Sequence, residues 1–319
     1  MNKTLIQVVI GLVAAVALLM LAGCDEEWGI APTVKGYRQE EVTFAVGDST
    51  VIEADTSNGE IIVRGVKGAQ DVHVVATLQT RGDTLEEAEE RLAKIVYHVT
   101  QDGQTVRLRY QASDQDEDVR RYSGVDFEVT VPVTTRVDAD TSNGAISVEA
   151  ISGRLDLETS NGAITVYRVT GDVRADTSNG AIEVWQVTGD ICADTSNGRI
   201  DVEGIVESVR ADTSNGSISL EKINGKVNAD TSNGSIRYEG RPVGQGNTLE
   251  TANGSITVRI PPEASVAFEI SAEDKHIRSS LPLTGDTEGA YWNAVLNPSA
   301  ETAMSLRTSN GTIRIDALP

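Results

Sequence analysis

A pentapeptide, Asp-Thr-Ser-Asn-Gly, recurs along this chain with a fixed period. Asn-Gly falls at Asn143, Asn161, Asn179, Asn197, Asn215 and Asn233, each 18 residues after the last, and looser copies stand at Asn58, Asn253 and Asn310. Three residues after every one of these nine Asn comes Ile, from Ile61 and Ile146 through to Ile313. Two residues further on stands Val63, Val148, Val166, Val184, Val202, Leu220, Tyr238, Val258 or Ile315. Ile-x-Val alternates with period two, the pattern of a strand with one buried face. Self-similarity at such a period marks a repeat architecture in which each unit buries its core only against its neighbours.

The other half of the repeat reads the same way. Val173, Ala175 and Thr177 share one face of a strand, with Arg174 and Asp176 on the other. A short third segment turns Val169, Val187, Ile205 or Ile223 inward and is punctuated by Gly153, Gly171, Gly189 and Gly225. Each repeat is thus two strands and a short third side, the outline of a three-sided coil. Asn-Gly between alternating strands is also a strong hairpin signal, so an antiparallel meander is the rival fold. Strict identity at equivalent positions favours the solenoid, where like residues stack at the strand spacing of about 4.8 Å and share one environment. The fold class expected is all-β: a single-stranded parallel β-helix with 18-residue coils, plus a small β-rich insert carrying one helix. Asn143, Asn161, Asn179, Asn197, Asn215 and Asn233 are expected to form a structural ladder that bridges backbone groups of successive coils. The Gly beside each is expected in the left-handed conformation.

The chain divides by pattern. Lys3 is the one charge before residue 25, and an apolar run extends from Leu5 to Ala22, the layout of a signal peptide over 1–23. Leu21-Ala22-Gly23-Cys24 resembles the lipobox of bacterial lipoproteins, in which the Cys is lipidated; this implies a membrane anchor on Cys24. Residues 24–40 read as a tether. An N-terminal β-rich segment over 41–133 interrupts the period, with strands at Asp71–Gln79, Ile95–Thr100, Thr105–Tyr110 and Val125–Val131. It includes a helix over about 84–94, where Thr84 and Glu87 form a capping-box pattern and Leu85, Ala88, Leu92 and Ile95 an apolar stripe. Ser113–Asp118 reads as an acidic loop. Regular repeats fill 134–260. Pro261-Pro262 then breaks the pattern, and 261–319 reads as a C-terminal cap ending on the last repeat copy.

Formal charge is −21 over 319 residues, which argues against a nucleic-acid partner and favours cations or basic partners. Apart from Cys24 there is one cysteine, Cys192, so no internal disulfide is expected once Cys24 is acylated. His73, His98 and His276 are scattered without metal-ligand spacing, and no Gly-x-Ser-x-Gly step occurs. The Ser of each Thr-Ser-Asn-Gly is a turn residue repeated along the array, whereas a catalytic Ser would be singular. Catalytic residues are therefore expected to be none, and an enzymatic cofactor likewise none.

Two outward columns are the candidate sites. Asp140, Glu158, Asp176, Asp194, Asp212 and Asp230 occupy one repeat position and would form a carboxylate ladder able to recruit a divalent cation such as Ca2+. Glu149, Tyr167, Trp185, Glu203, Glu221 and Glu239 share another position, which makes Tyr167 and Trp185 neighbours and a candidate partner contact, or else residues packed beneath the N-terminal insert. Cys192 aligns with Arg174, Arg210 and Asn228 and is expected to face outward.

The repeated Thr-Ser-Asn-Gly-x-Ile-x-Val, the Val131-Pro132 step before the array and the Leu-Glu-Glu-Ala helix resemble a candidate-adhesin domain family of bacterial envelope proteins, a β-solenoid family of unknown function. The resemblance spans residues 40 to 318 and implies no catalytic motif. The function it implies is a non-enzymatic, lipid-anchored envelope module with structural or adhesin-like binding to an envelope protein or polysaccharide. A regulatory or sensing ectodomain is the alternative, and a polysaccharide-active β-helix enzyme the remote one.

Overall fold

Backbone pairing with an 18-residue offset organises the strands between residues 146 and 240. The computed structural model describes residues 34–47, 49–112, 116–204, 207–273, 276–298 and 300–318. Two compact units emerge, Met1–Ala145 and Ile146–Pro319. Cys24 and its lipobox lie outside the described residues.

In the C-terminal unit the strands pair in parallel. Ile164 aligns with Ile182, Ile182 with Ile200, Ile200 with Ile218 and Ile218 with Ile236. On the opposite sheet Ala175 aligns with Ala193, Ala193 with Ala211 and Ala211 with Ala229. The antiparallel meander is thereby excluded: each coil lies on the next in one register. The Ile and Val columns are buried, with Ile164, Ile182 and Ile200 at 0% exposure. At about 1.5–3 kcal/mol for each such side chain, these columns are the main stabilising term.

The expected three sides resolve into two sheets. The short third side is not a separate sheet; it continues the Ile-x-Val strands past a bend, so that Ile164–Thr170 pairs with Ile182–Thr188 on both sides of the corner. Ala150, Arg168, Gln186 and Lys222 make that bend with φ between 54° and 59°. Side-chain-bearing residues rarely adopt this left-handed region. Gly204, at the same repeat position, has φ 149°.

The Asn-Gly corner differs from expectation in an instructive way. Among the described residues, the Gly of the regular copies are not left-handed; they are required by proximity. A Cβ placed on Gly198 would stand 1.7 Å from the carbonyl oxygen of Gly180, and one on Gly216 1.7 Å from that of Gly198. The Asn amides pair chiefly with one another: Asn179 Nδ2 donates to Asn161 Oδ1 at 2.8 Å, and Asn197 and Asn215 repeat the bond one coil further on. The backbone N–H of Asn197 meanwhile donates to Ser178 O. Beneath each corner a buried Thr serves two coils at once. Thr213 Oγ1 accepts from Gly216 N at 3.2 Å and donates to Gly198 O at 3.1 Å. Thr195 does the same with Gly198 and Gly180.

In the C-terminal unit the last repeat copy is not outermost. Thr302–Thr308 runs between Asn247–Thr251 and Val266–Ala272, parallel to both. Ile313 likewise pairs with Ile256 on one side and Ile277 on the other. The segment after Pro262 therefore forms a further coil beyond the final copy, and Tyr291–Leu296 closes it with antiparallel pairing to Val266–Ser271.

The N-terminal unit uses a related device. Val51–Thr56 pairs in parallel with both Thr105–Tyr110 and Arg136–Thr141, so this early copy is also held between strands distant in sequence. Residues 34–40, read as tether, instead begin a strand: Val34–Ala45 pairs antiparallel with Asp71–Gly82 along its whole length. The helix runs Leu85–Lys94, with Thr84 Oγ1 accepting from Glu87 N at 3.2 Å. Glu87 returns the favour to Asp83 N rather than to Thr84. Ala88, Leu92 and Ile95 are buried, but Leu85 is exposed and does not belong to the stripe. Gly36 allows the helix to approach, since a Cβ there would lie 3.0 Å from Leu92 Cδ1. Of the acidic loop, residues 113–115 lie outside the described set. Asp116 caps a second short helix, Glu117–Tyr122.

Gly216→Ala is expected to destabilise the protein by about 3 kcal/mol, because the new methyl meets backbone rather than a movable side chain. Thr213→Val, nearly isosteric, should cost about 1–3 kcal/mol by leaving Gly216 N and Gly198 O without their partner. Denaturant unfolding of both variants checks the pair; a silent Gly216→Ala would refute the close approach.

Candidate functional site

Both outward columns are in place, and neither is a bare row of charge. Glu158, Asp176, Asp194, Asp212 and Asp230 align in sequence along the C-terminal unit, and Glu250 extends them. Asp140 belongs to the N-terminal unit, where it pairs with Asp55. Cations on the same strands relieve the repulsion: Arg174 reaches Asp176 at 2.7 Å and Asp156 at 3.7 Å, and Arg210 reaches Asp212 at 2.6 Å. Where no such partner dominates, the like charges show. Burial, then Asp212 and Asp176, lift the Asp194 carboxyl above its ordinary range. Burial, then Glu250 and Asp212, do the same for Asp230. Among the described residues no three His, Cys, Asp or Glu converge as a metal site would need. A ladder spreads its oxygens along a line, whereas a cation gathers them around a point.

In the second column the two aromatics are neighbours with acids on either side. Tyr167 aligns with Glu149 on one side and Trp185 on the other, and Trp185 with Glu203. Both aromatics are half-buried. The Arg168 guanidinium lies 4.9 Å from the Tyr167 ring centre and also pairs with Glu149. Lys222 pairs with Glu203, and Arg237 reaches both Glu221 and Glu239 at 3.6 and 3.5 Å. The left-handed corner explains this matching: residues 168 and 222 turn outward immediately after the column, which puts their cations beside its carboxylates.

Cys192 aligns with Arg174 and Arg210, as expected. Its Sγ donates to Asp194 Oδ2 at 3.6 Å, and burial followed by the Asp194 charge pushes the thiol up. A raised thiol carries less of the thiolate, the form that reacts.

One concave feature escaped the sequence. In the N-terminal unit, where the insert meets the Asn58 and Asn143 corners, unlike polar groups converge on a cleft. Its floor is built on Asp126, whose Oδ1 accepts from Glu60 N at 2.8 Å and whose two oxygens accept from Gln79 Nε2 at 3.0 and 3.1 Å. Burial raises the Asp126 carboxyl despite these bonds. Asn58 Nδ2 donates to the carbonyls of Arg120 and Ser123 and so ties the corner to the insert. The signal available in sequence was the break in period alone; nothing in it says that residues 79, 121 and 126 return to the corner at residue 58.

The raised carboxyls give a pH signature. A carboxyl whose folded value exceeds its unfolded value contributes stability below the unfolded value, and that contribution is lost as pH rises through the folded one. Asp194→Asn is therefore expected to melt higher than the parent at pH 7 and no higher at pH 4. A lower melting temperature at pH 7 would show that Asp194 is not under strain from its neighbours.

No curated protein matches the sequence. Similar solved structures include a candidate adhesin from Bacteroides fragilis NCTC 9343, at 12% identity and a TM-score of 0.43 over 91% of this chain and 100% of that one. Another is a candidate cell adhesion protein from Clostridium sporogenes ATCC 15579, at 10% identity and a TM-score of 0.25 over 88% and 100%. The family described as Toastrack DUF4097 matches residues 52–316, most of the chain, and the protein belongs to that family.

Proposed function

We propose that this Toastrack protein is a non-enzymatic, adhesin-like binding module, held at the bacterial envelope by a lipid on Cys24. The supporting observation is the in-register outer row of the C-terminal unit, where Tyr167 and Trp185 stand side by side between Glu149 and Glu203. Parallel stacking fixes this row on strands rather than loops, so its spacing is set by the backbone and little ordering entropy is lost on contact. Half-exposed aromatics on a rigid face are the groups that most often anchor a protein or saccharide partner. The flanking carboxylates, each with its own cation, form a polar rim. An extended envelope polymer or a partner protein with a flat face fits such a row.

Two experiments test this reading. Replacing Tyr167 and Trp185 together by Ser is expected to weaken capture of envelope material by about tenfold or more, given the weight aromatic anchors carry, while Glu288→Gln, exposed and outside the row, leaves it unchanged. Equal capture by parent and double variant would remove the row as the contact. For the anchor, the parent is expected to take up labelled fatty acid in cells and Cys24→Ser to take up none. Equal labelling of the two would end the lipoprotein assignment.

A further inference from the structure

The cleft of the N-terminal unit has a chemistry unlike the rest of the chain. Its volume is about 580 Å3, within the usual span of small-molecule sites. Lys35, Arg81 and Arg121 line it, and among the described residues none of the three joins an ion pair. In a chain of net charge −21 this is a local reversal. Along the solenoid, by contrast, Arg174, Arg199, Arg210 and Arg237 each meet a carboxylate. Unpaired guanidinium groups gathered at a concavity suit a planar anion, which they bind by paired N–H donors.

The remaining lining narrows the class. Tyr37 and Tyr122 supply aromatic surface. The guanidinium carbons of Arg91 and Arg121 lie 5.3 and 5.6 Å from the Tyr122 ring centre. Asp126 and Glu60 supply carboxylates, the first fixed by the Gln79 amide and the Glu60 backbone. A phosphate or sulfate would meet the three cations but offers no hydroxyl donors to those two carboxyls. A ligand with one carboxylate and several hydroxyl donors satisfies both sets: the carboxylate goes to the cations and the hydroxyls to the acids. Its ring edge can lie on tyrosine. That combination describes an acidic sugar.

We infer that this cleft is a binding site for a carboxylate-bearing saccharide of the hexuronic acid class. The site stands on its own residues and is independent of the Tyr167–Trp185 row, so either can fail without the other.

Titration calorimetry on the full-length protein with trigalacturonic acid, its trimethyl ester and tri-glutamate tests the assignment. The acid is expected to bind at least about tenfold more tightly than the ester, because the charge-assisted bonds are lost on esterification. Arg121→Gln and Lys35→Gln, both at exposed positions, should each weaken binding of the acid by about fivefold or more at unchanged melting temperature. Binding should also weaken as salt is raised. No heat with the acid, equal affinity for acid and ester, or tri-glutamate bound as tightly as the sugar would each overturn the inference. Unchanged affinity in both variants at full stability would overturn it as well.

Discussion

The close approach of one coil's Asn-Gly corner to the next is the constraint on which the solenoid depends. Coils that hydrogen-bond in register bring equivalent Cα atoms one above another. At the corner the stacked atoms come closer than any Cβ allows, with Gly198 set against the carbonyl of Gly180. Glycine is needed there for its missing side chain, not for left-handed freedom. The neighbouring residues follow from the same contact. The Thr hydroxyl satisfies the Gly N–H of its own coil and the Gly carbonyl of the coil before. The Asn amide bonds to the preceding Asn amide. The Thr and Asn side chains and the missing side chain of Gly are thus each fixed by a specific bond or clearance between coils, and Ser contributes through its backbone carbonyl.

Stacking that repeats the core also repeats the charge. An acid placed once on an outward position is placed in every coil, at a spacing where like charges cost about 1 kcal/mol per neighbour in water. Two sequence devices offset this. Arg174 and Arg210 sit two residues before the acid they face, on the same strand face. Arg168 and Lys222 use the left-handed corner to reach Glu149 and Glu203 one coil back. The second device sets conformational strain against an ion pair that is partly solvent-screened, so it offsets only part of the cost. The corner also holds Ala150 and Gln186, so the left-handed bend is imposed by the coil, and the cations at 168 and 222 add charge relief to it.

Much of this was legible from the sequence because each coil states the same rule. The parallel register, the buried Ile and Val columns, the helix cap at Thr84 and the alignment of Tyr167 with Trp185 follow from period and alternation. Three features were not legible. The Asn-Gly step is a favoured left-handed turn in isolation, and only the inter-coil distance shows that glycine is chosen here for size. The third side reads as a separate face, because a non-glycine residue at φ near 55° leaves no mark in the sequence. The position of the last repeat copy between Asn247–Thr251 and Val266–Ala272 is a long-range choice that a period cannot encode.

The same reasoning locates chemistry in the part of the chain that does not repeat. A residue within the array is shared by many coils and cannot specialise without breaking a ladder; Tyr167 and Trp185 vary only the outward side, where packing is indifferent. The insert is free of that constraint. It returns Gln79, Arg81, Arg121 and Asp126 to a corner already fixed by Asn58 and Asn143, so single-copy side chains stand against a rigid repetitive edge. Asp126 is the clearest case: it carries the desolvation cost of a half-buried carboxylate while three hydrogen bonds hold its orientation. An alanine-like residue there would be easier to bury and would leave Gln79 and Glu60 N without partners. Three hydrogen bonds set against that desolvation hold a single-copy carboxylate in one orientation beside the rigid corner.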